Sequence, residues 1–413
     1  MSASRGSSSG RVRFNIVIPT RERADVLGKC LATVLAEDDP DLRVIVSDNC
    51  SEDLTRDVVS AFADERVCYV RTGRRVSMTE NWEFALSHVN DGWVSVLGDD
   101  DGLVPGALER VRSIIARTGV EAVRSAVCWY GWPSVLDGTH GRLSIPRECG
   151  LDVRSSPHWL RAVRDGRVPY TQLPVLYNGG FVSSAVLQRM RSSGRIYHSC
   201  IPDVYSGLAI ASVTPFYAYS WEPLAINGAS AHSTGTAVFG KASAPSSTRF
   251  MSEGNLPFHA SVPMLADGRY PHSFQVLVLE SYLQSAMLRG AEAIDFTFQL
   301  RLIADEARGA HDPDLRAWAH SFAMMNGLDI DVALRSRSGR QLLRRLERLP
   351  RRLTTVRPAV IEATESEPLQ DVLDASLVAG RWLSTRHVPV PNPVKRAASW
   401  LDTSLRLRSL TQH

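Results

Sequence analysis

The stretch Trp93-Val94-Ser95-Val96-Leu97-Gly98-Asp99-Asp100-Asp101-Gly102 sets five residues of buried-strand character directly against three adjacent carboxylates. Adjacent carboxylates repel one another, so such a cluster calls for a compensating cation or full solvation. Solvation is hard to reach at the end of a buried strand. Hard divalent cations take oxygen ligands, and Mg2+ or Mn2+ commonly bridges one or two carboxylates to the phosphates of a substrate. A solvated acidic turn is the plainer alternative for a lone run of three acids. By chemistry alone, any two of Asp99, Asp100 and Asp101 could form the pair.

The residues around this stretch decide between those readings. Upstream, Val12–Ile18, Leu42–Val46 and Val67–Val70 read as short buried strands. Apolar residues at helical spacing fill Val26–Leu35, Glu52–Phe62 and Thr79–Val89, with Ser51 placed to cap the second of these. Downstream, Pro105–Ile115 reads as a helix with Pro in its first turn, and Val120–Trp129 resumes strand character. Alternating strands and helices predict an α/β fold, an open and mostly parallel sheet with helices on both faces. Ligands of such sheets bind beyond the carboxyl ends of the strands.

Two further strand ends carry polar clusters. Pro19-Thr20-Arg21-Glu22-Arg23 follows the first strand and offers backbone N–H groups and arginines near a helix N-terminus, a place suited to phosphate. Ser47-Asp48-Asn49-Cys50-Ser51-Glu52-Asp53 follows the second. Asp48 there can accept a hydrogen bond from a nucleobase N–H, and Asn49 and Ser51 can serve a ribose or the next helix. Three strand ends thus place polar groups on one rim.

In order and spacing, these blocks resemble glycosyltransferase family 2, a group of inverting enzymes with the GT-A (Rossmann-like) fold. The resemblance runs from Phe14 to about Val111. It rests on Val17-Ile18-Pro19-Thr20-Arg21-Glu22-Arg23, on Val44-Ile45-Val46-Ser47-Asp48-Asn49-Cys50-Ser51-Glu52-Asp53, on Asn81 in Thr79-Glu80-Asn81-Trp82-Glu83, and on Leu97-Gly98-Asp99-Asp100-Asp101 with Gly102–Leu108. It implies a nucleotide-sugar site in which Asp48 binds the base, usually uracil, and Pro19, Thr20, Arg21, Arg23, Asn49 and Asn81 line the nucleotide. It implies that Asp99 and Asp101 form the D-x-D pair for ribose and metal, with Asp100 beside them, and makes Asp101 the first choice of ligand to Mn2+ or Mg2+. The family often has Gly where Cys50 stands, so the local turn is expected to differ.

Inverting transfer needs a cation at the leaving diphosphate and a carboxylate to take the acceptor's proton, through a transition state of oxocarbenium character. Asp203, in Ile201-Pro202-Asp203-Val204-Tyr205, resembles the family's base: an acid opening a helix about a hundred residues past the D-x-D. An ordinary helix N-terminal Asp is the alternative, and Asp152 and Asp165 are further candidates. His232, in the polar run Asn227–Ser233, is a candidate for metal or diphosphate, with Ser230 and Ser233 near it.

The chain has 413 residues, a formal charge of +3 and six cysteines. The small charge gives no argument for nucleic acid as a partner. Cys30, Cys50, Cys68, Cys128, Cys149 and Cys200 are scattered without a C-x-x-C pair, which speaks against a zinc site or a disulfide framework and for reduced thiols. No secretory signal or membrane span is visible, so a cytoplasmic location is expected, with peripheral contact at the inner membrane face as an option. Residues 1–10 read as a disordered tail, 11–235 as the catalytic domain and 236–413 as a mainly helical C-terminal region. Within the catalytic part, 11–130 reads as the donor half and the aromatic-, Pro- and Gly-rich 131–235 as the acceptor half. Helices are expected at Phe274–Leu288, Ala291–Ala304 and Leu315–Met325. The basic segment 335–353 has leucines at helical spacing and suits either a solvated helix face or an anionic membrane surface.

The expected function is sugar transfer from a nucleotide-diphosphate sugar, UDP favoured, to a glycan, lipid-linked or small-molecule hydroxyl acceptor. Two alternatives stand beside it: a sugar-1-phosphate nucleotidyltransferase, for which the turn after the first strand lacks a Gly-rich phosphate loop, and a non-catalytic carbohydrate- or membrane-binding protein on a degenerate scaffold.

Overall fold

The computed structural model describes residues 12–135, 138–231, 253, 255–265, 267–268, 273–290, 294–310, 312–331, 358–364 and 369–385. His232, Ser233 and the basic segment 335–353 lie outside the described residues. The first half runs β1 (Phe14–Thr20), α1 (Ala24–Leu35), β2 (Leu42–Asp48), α2 (Thr55–Ser60), β3 (Val67–Arg71), α3 (Met78–Leu86), β4 (Trp93–Val96), β5 (Gly102–Leu103), α4 (Ala107–Thr118) and β6 (Ala122–Gly131). Then come β7 (Arg142–Ile145), β8 (Leu151–Ser155), α5 (Ser156–Arg164), β9 (Gly180–Ser183), α6 (Ser184–Met190), α7 (Pro202–Val213) and β10 (Phe216–Ala229). The C-terminal part holds α8 (Phe274–Gln284), α9 (Phe296–Ala310), α10 (Pro313–Met325), β11 (Ala359–Glu362) and α11 (Val372–Thr385).

One sheet carries the molecule, in the order β11-β7-β6-β9-β4-β1-β2-β3, with β10 pairing β5, β6 and β8. The expected α/β architecture is present. β1 pairs in parallel with β2 and β4, and β2 with β3, so the donor-side sheet is parallel as the strand–helix alternation predicts. Beyond β4 the sheet is mixed rather than mostly parallel, because β9 is antiparallel to both β4 and β6 and β7 is antiparallel to β6. Helices lie on connections there too, but the strands that end up as neighbours are not the two ends of one crossover, so nothing imposes parallel pairing.

The central strands β1, β2 and β4 are buried on both faces, which is why they read as continuous runs of strand character. Side chains alternate across β1: Phe14, Ile16 and Ile18 pack with Leu27, Leu31 and Val34 of α1 and Leu108 and Val111 of α4. Val17, with Ile45 and Val96, packs on Trp82 and Ala85 of α3 and Tyr205 and Ile210 of α7. A helix layer on each face fixes the strand ends at one rim.

Local chemistry sets the ends of the helices. α3 begins with a full capping box, Ser77 and Glu80 each bonding the other's backbone N–H. α2 is shorter than expected, and Ser51 does not cap it; its hydroxyl accepts from the Glu22 N–H at 2.9 Å and so ties two rim loops together. α4 starts at Ala107, after Pro105, and its first N–H groups are met from a distance. Glu37 accepts from Gly106, Ala107 and Leu108 at 2.6, 3.2 and 3.0 Å, placing a carboxylate at the positive end of the helix.

The described residues after 235 are mainly helical, as expected, and include one strand. α8 packs on α5 and α7, with Leu277, Val278 and Tyr282 against Leu160, Val204 and Leu208. β11 returns to extend the sheet against β7. α11 places Val372, Ala375 and Val378 against Val26 and Val104, and Lys29 pairs with Asp371 at 2.9 Å. Among the described residues no helix is long and apolar enough to cross a membrane.

Candidate functional site

β1, β2 and β4 end side by side, which brings the three polar clusters of the sequence onto one rim. The loop after β4 separates its three acids. Thr20, the last residue of β1, donates to Asp99 at 2.8 Å. Ser230, just past β10, donates to Asp100 at 2.6 Å. Arg23 bridges the two acids: its guanidinium lies 3.9 Å from Asp99 and 3.7 Å from Asp100 and donates to the Ser230 hydroxyl at 3.1 Å. Burial raises the Asp99 pKa to about 6, against the opposing pull of Arg23 and with the help of Asp100.

Asp101 faces elsewhere. One of its carboxylate oxygens accepts from the Gly228 N–H at 2.7 Å. The other accepts from the Gly98 N–H at 3.0 Å and the Tyr177 hydroxyl at 2.8 Å. The residue is 1% exposed. Burial and then the charge of Asp100 push its pKa well up, while these three donors pull it down. Asp101, the expected metal ligand, thus has both carboxylate oxygens accepting hydrogen bonds, which join the β4 loop to β10 and to Tyr177. The close approach of β10 requires glycine at 228, because a Cβ there would sit 1.9 Å from the Asp100 carbonyl oxygen. Trp132 closes the far side by donating to that same oxygen at 2.8 Å.

At the end of β2, Asp48 is 1% exposed. It accepts from the Ser51 N–H at 2.9 Å and the Tyr69 hydroxyl at 2.5 Å, and Arg71 lies 3.5 Å away. Burial and the Asp48 carboxylate hold the Tyr69 phenol protonated, with its pKa raised. Asn49 uses both ends of its amide on the backbone of Val76, donating at 2.8 Å and accepting at 2.9 Å. Asn81 does the same with Ser47, accepting from its hydroxyl at 2.8 Å and donating to its carbonyl at 3.2 Å. Pro19 lies within β1, paired with Ser47. These residues line the rim, but their polar groups serve the scaffold that shapes it.

Cys50 stands at the turn after β2 with φ 57°, the left-handed region that glycine adopts without strain. The Cys50→Gly variant is expected to gain about 1 kcal/mol of stability from relief of that strain. Denaturant unfolding monitored by fluorescence measures it, and a variant less stable than the parent would show that the thiol's contacts outweigh the strain.

Asp203 opens α7, as the sequence predicts, and Tyr170 donates to it at 2.9 Å. Burial raises its pKa, opposed by the Tyr170 hydrogen bond and by its own helix N–H groups, with Arg124 a smaller opposing charge. Tyr177 connects the two acidic centres: it hydrogen-bonds Asp101 and lies within electrostatic reach of both Asp203 and Arg23. Tyr170, which holds Asp203, also lines a cavity of about 240 Å³ with Val163, Val168, Phe274 and Val278, its ring stacked on that of Phe274 at 6.2 Å. Asp152 instead accepts from the Trp221 indole at 2.9 Å, and Asp165 pairs with Arg164 and Arg167.

Among the described residues no cluster of three or more His, Cys, Asp or Glu side chains is arranged to hold a metal ion. The pair Asp99 and Asp100 does fit the smaller share that Mg2+ or Mn2+ takes from a protein when substrate phosphates and water supply the rest. The sequence places Trp132, Tyr170 and Tyr177 among the aromatics of the acceptor half, but it gave neither them nor Gly228 and Arg124 a role at the acids. The run Asn227-Gly228-Ala229-Ser230 was the available signal, since small residues permit a close backbone approach.

Residues 15–159 match the model of glycosyl transferase family 2. Over 99 residues the chain is 31% identical to the GalNAc(5)-diNAcBac-PP-undecaprenol beta-1,3-glucosyltransferase of Campylobacter jejuni, covering 23% of this chain and 32% of that protein. Over 111 residues it is 27% identical to the succinoglycan biosynthesis protein ExoO of Rhizobium meliloti, covering 27% and 31%. The chain thus matches about a third of the length of these relatives. Among solved structures, S. aureus TarS 1-349 in complex with UDP-GlcNAc superposes with a TM-score of 0.42 at 12% identity, over 76% of this chain and 92% of that one.

Proposed function

Taking as premise that residues 15–159 belong to glycosyl transferase family 2, we propose that this protein moves a sugar from a nucleotide-diphosphate sugar to a hydroxyl acceptor with inversion at the anomeric carbon. The observation that carries this reading is the pair Asp99 and Asp100, held on the strand-end rim by Thr20, Arg23 and Ser230. UDP is the favoured carrier, through the family resemblance of the Pro19–Arg23 and Ser47–Asp53 loops. Asp48 shapes the base pocket by fixing Ser51 and Tyr69. Asp99 and Asp100 would hold Mn2+ or Mg2+, and the bound ion would supply Lewis-acid neutralisation of the leaving diphosphate.

Asp203 acts as general base. Its carboxylate takes the acceptor hydroxyl proton as that oxygen bonds to the anomeric carbon, and the bond from that carbon to the phosphate oxygen breaks with its electron pair leaving on the diphosphate. A raised pKa suits the role, since a more basic carboxylate takes the proton more readily. The apolar cavity beside Tyr170 leaves room for an acceptor with an apolar portion. A lipid-linked acceptor is consistent with the name of the Campylobacter relative, and a glycan or small-molecule acceptor fits the same chemistry.

Calorimetric titration of UDP, GDP, CDP and dTDP, each with Mn2+ and with EDTA, tests the donor site. Binding of UDP that disappears with EDTA is expected. Absence of binding by all four would refute the donor reading.

A further inference from the structure

Between α5 and β9, residues 173–179 follow neither helix nor strand and are largely buried. Buried backbone of that kind must find partners for its carbonyl oxygens outside the regular ladders. Two arginines supply them to this segment and the residues just before it. Arg124, on β6, donates from Nε to the Thr171 carbonyl at 3.2 Å and from Nη1 to those of Tyr177 and Asn178 at 2.7 Å each. Arg154, on β8, donates to the Gln172 carbonyl at 3.2 Å, which the Tyr217 hydroxyl also meets at 2.7 Å. The stretch 170–178 carries the tyrosines of both acidic centres: Tyr170 donates to Asp203 and Tyr177 to Asp101. Between them the Leu176 N–H donates to Ser206 of α7, the helix that Asp203 opens.

Arg124 is 7% exposed, and burial lowers its pKa because the guanidinium gives up its water. Among the described residues no carboxylate forms an ion pair with it; the acid within its electrostatic reach is Asp203, beside the phenols of Tyr170, Tyr217 and Tyr219. Neutral donors would satisfy three carbonyls without the cost of burying a charge. A cation held here therefore has a further use, and Asp203 is the group on which it acts. Tyr170, Tyr177, Tyr197 and Arg124 face that carboxylate, and Arg124 is the cation among them.

We propose that Arg124 is a positioning residue for sugar transfer: it clamps residues 171–178 by their carbonyl oxygens, so that Tyr170 stays on Asp203 and Tyr177 on Asp101, and it sets its charge against the Asp203 carboxylate. The role in transfer rests on the function proposed above; the clamp and the charge do not. One rigid fork thereby ties the acids at the end of β4 to the acid at the start of α7. Misplacing reacting groups by about 1 Å costs about a hundredfold in rate, so a device that fixes this separation matters to turnover without touching substrate.

The test compares the full chain, unaltered and as Arg124→Gln and Arg124→Lys. NMR of isotope-labelled aspartate carboxyls follows the titration of Asp203, with Asp203→Asn to assign its signal. Turnover is read across pH as release of UDP from the UDP-sugar that the unaltered chain turns over fastest. Burial raises the Asp203 pKa and Arg124 is among the groups that lower it. In Arg124→Gln the Asp203 signal should therefore titrate at higher pH, the acidic limb of kcat/KM should follow it, and the plateau kcat should fall by about a hundredfold. Arg124→Lys keeps a cation but loses the planar fork, so its plateau kcat should fall by about tenfold or more while the Asp203 signal moves less. An Asp203 titration unmoved in Arg124→Gln, or a parental plateau kcat in that variant, overturns the proposal. Should Arg124→Gln fail to fold, Arg124→Lys decides alone, and a parental kcat there overturns it; if neither folds, Arg124 serves stability only and the proposal falls. If the Asp203 signal moves as expected while the rate limb stays in place or no UDP-sugar is turned over, the clamp and its charge stand and the reading of Asp203 as general base falls.

Discussion

Asp100→Ala is expected to cut sugar transfer by about a thousandfold or more while leaving the melting temperature unchanged or raised. Asp101→Ala is expected to lose folded protein first. The two side chains are neighbours in sequence and opposite in duty. Asp100 is buried against Arg23 and Ser230 and adds to the repulsion that raises the pKa of Asp99 and Asp101. Removing it relieves that repulsion and gives up one partner each of Arg23 and Ser230, so the two effects offset and the fold changes little. Removing the Asp101 carboxylate strands the N–H groups of Gly98 and Gly228 and the Tyr177 hydroxyl in a buried place. Unsatisfied buried donors cost about 1–3 kcal/mol each, so a loss of several kcal/mol is expected. Thermal melting beside an initial-rate assay separates the two variants. An Asp100→Ala enzyme with near-normal turnover would remove Asp100 from the donor site, and an Asp101→Ala protein of parental stability would refute its structural duty.

The hydrogen bonds of these neighbouring acids also mark where sequence reasoning stops. The donor half was readable because β1, β2, β3, β4 and β6 are runs of strand character separated by helices, and the acids fall where such sheets bind ligands. Which of three consecutive Asp residues faces the ligand was not readable. The donors that claim Asp101 come from residues 177 and 228, brought in by β9 and β10 pairing that no local pattern announces. β10 itself was hidden. It runs through Trp221 and Pro223, and the register shift between Ser220 and Ala225 is what admits a proline into a paired strand. β11 is only four residues long and joins the sheet from beyond residue 358, so its partner could not be inferred. Ser51 looked like a cap because of its residue type, yet its hydroxyl is drawn to Glu22, whose φ of 52° turns its backbone N–H toward it.

Asp203→Asn is expected to retain nucleotide binding and to lose transfer by about 10²- to 10⁴-fold, the range that a positioned general base supplies. Asparagine keeps the size and can still accept from Tyr170, but it cannot take a proton. The pH dependence follows from the same environment. Burial raises the Asp203 pKa, and the base works only when ionised, so kcat/KM should rise with pH through that raised value rather than being flat from the ordinary carboxylate range upward. The Tyr170 hydrogen bond lowers this pKa. In Tyr170→Phe that stabilisation of the anion is gone, the Asp203 pKa climbs further, and less of the base is ionised at neutral pH. The acidic limb of the kcat/KM profile should therefore move to higher pH, with much of the parental rate recovered in alkaline buffer. A residue that merely packs near the site would lower the rate at every pH alike. If Tyr170→Phe leaves the limb where it was, or Asp203→Asn transfers sugar at the parental rate, the proton is taken elsewhere and the acid at the start of α7 is only a helix N-terminal residue.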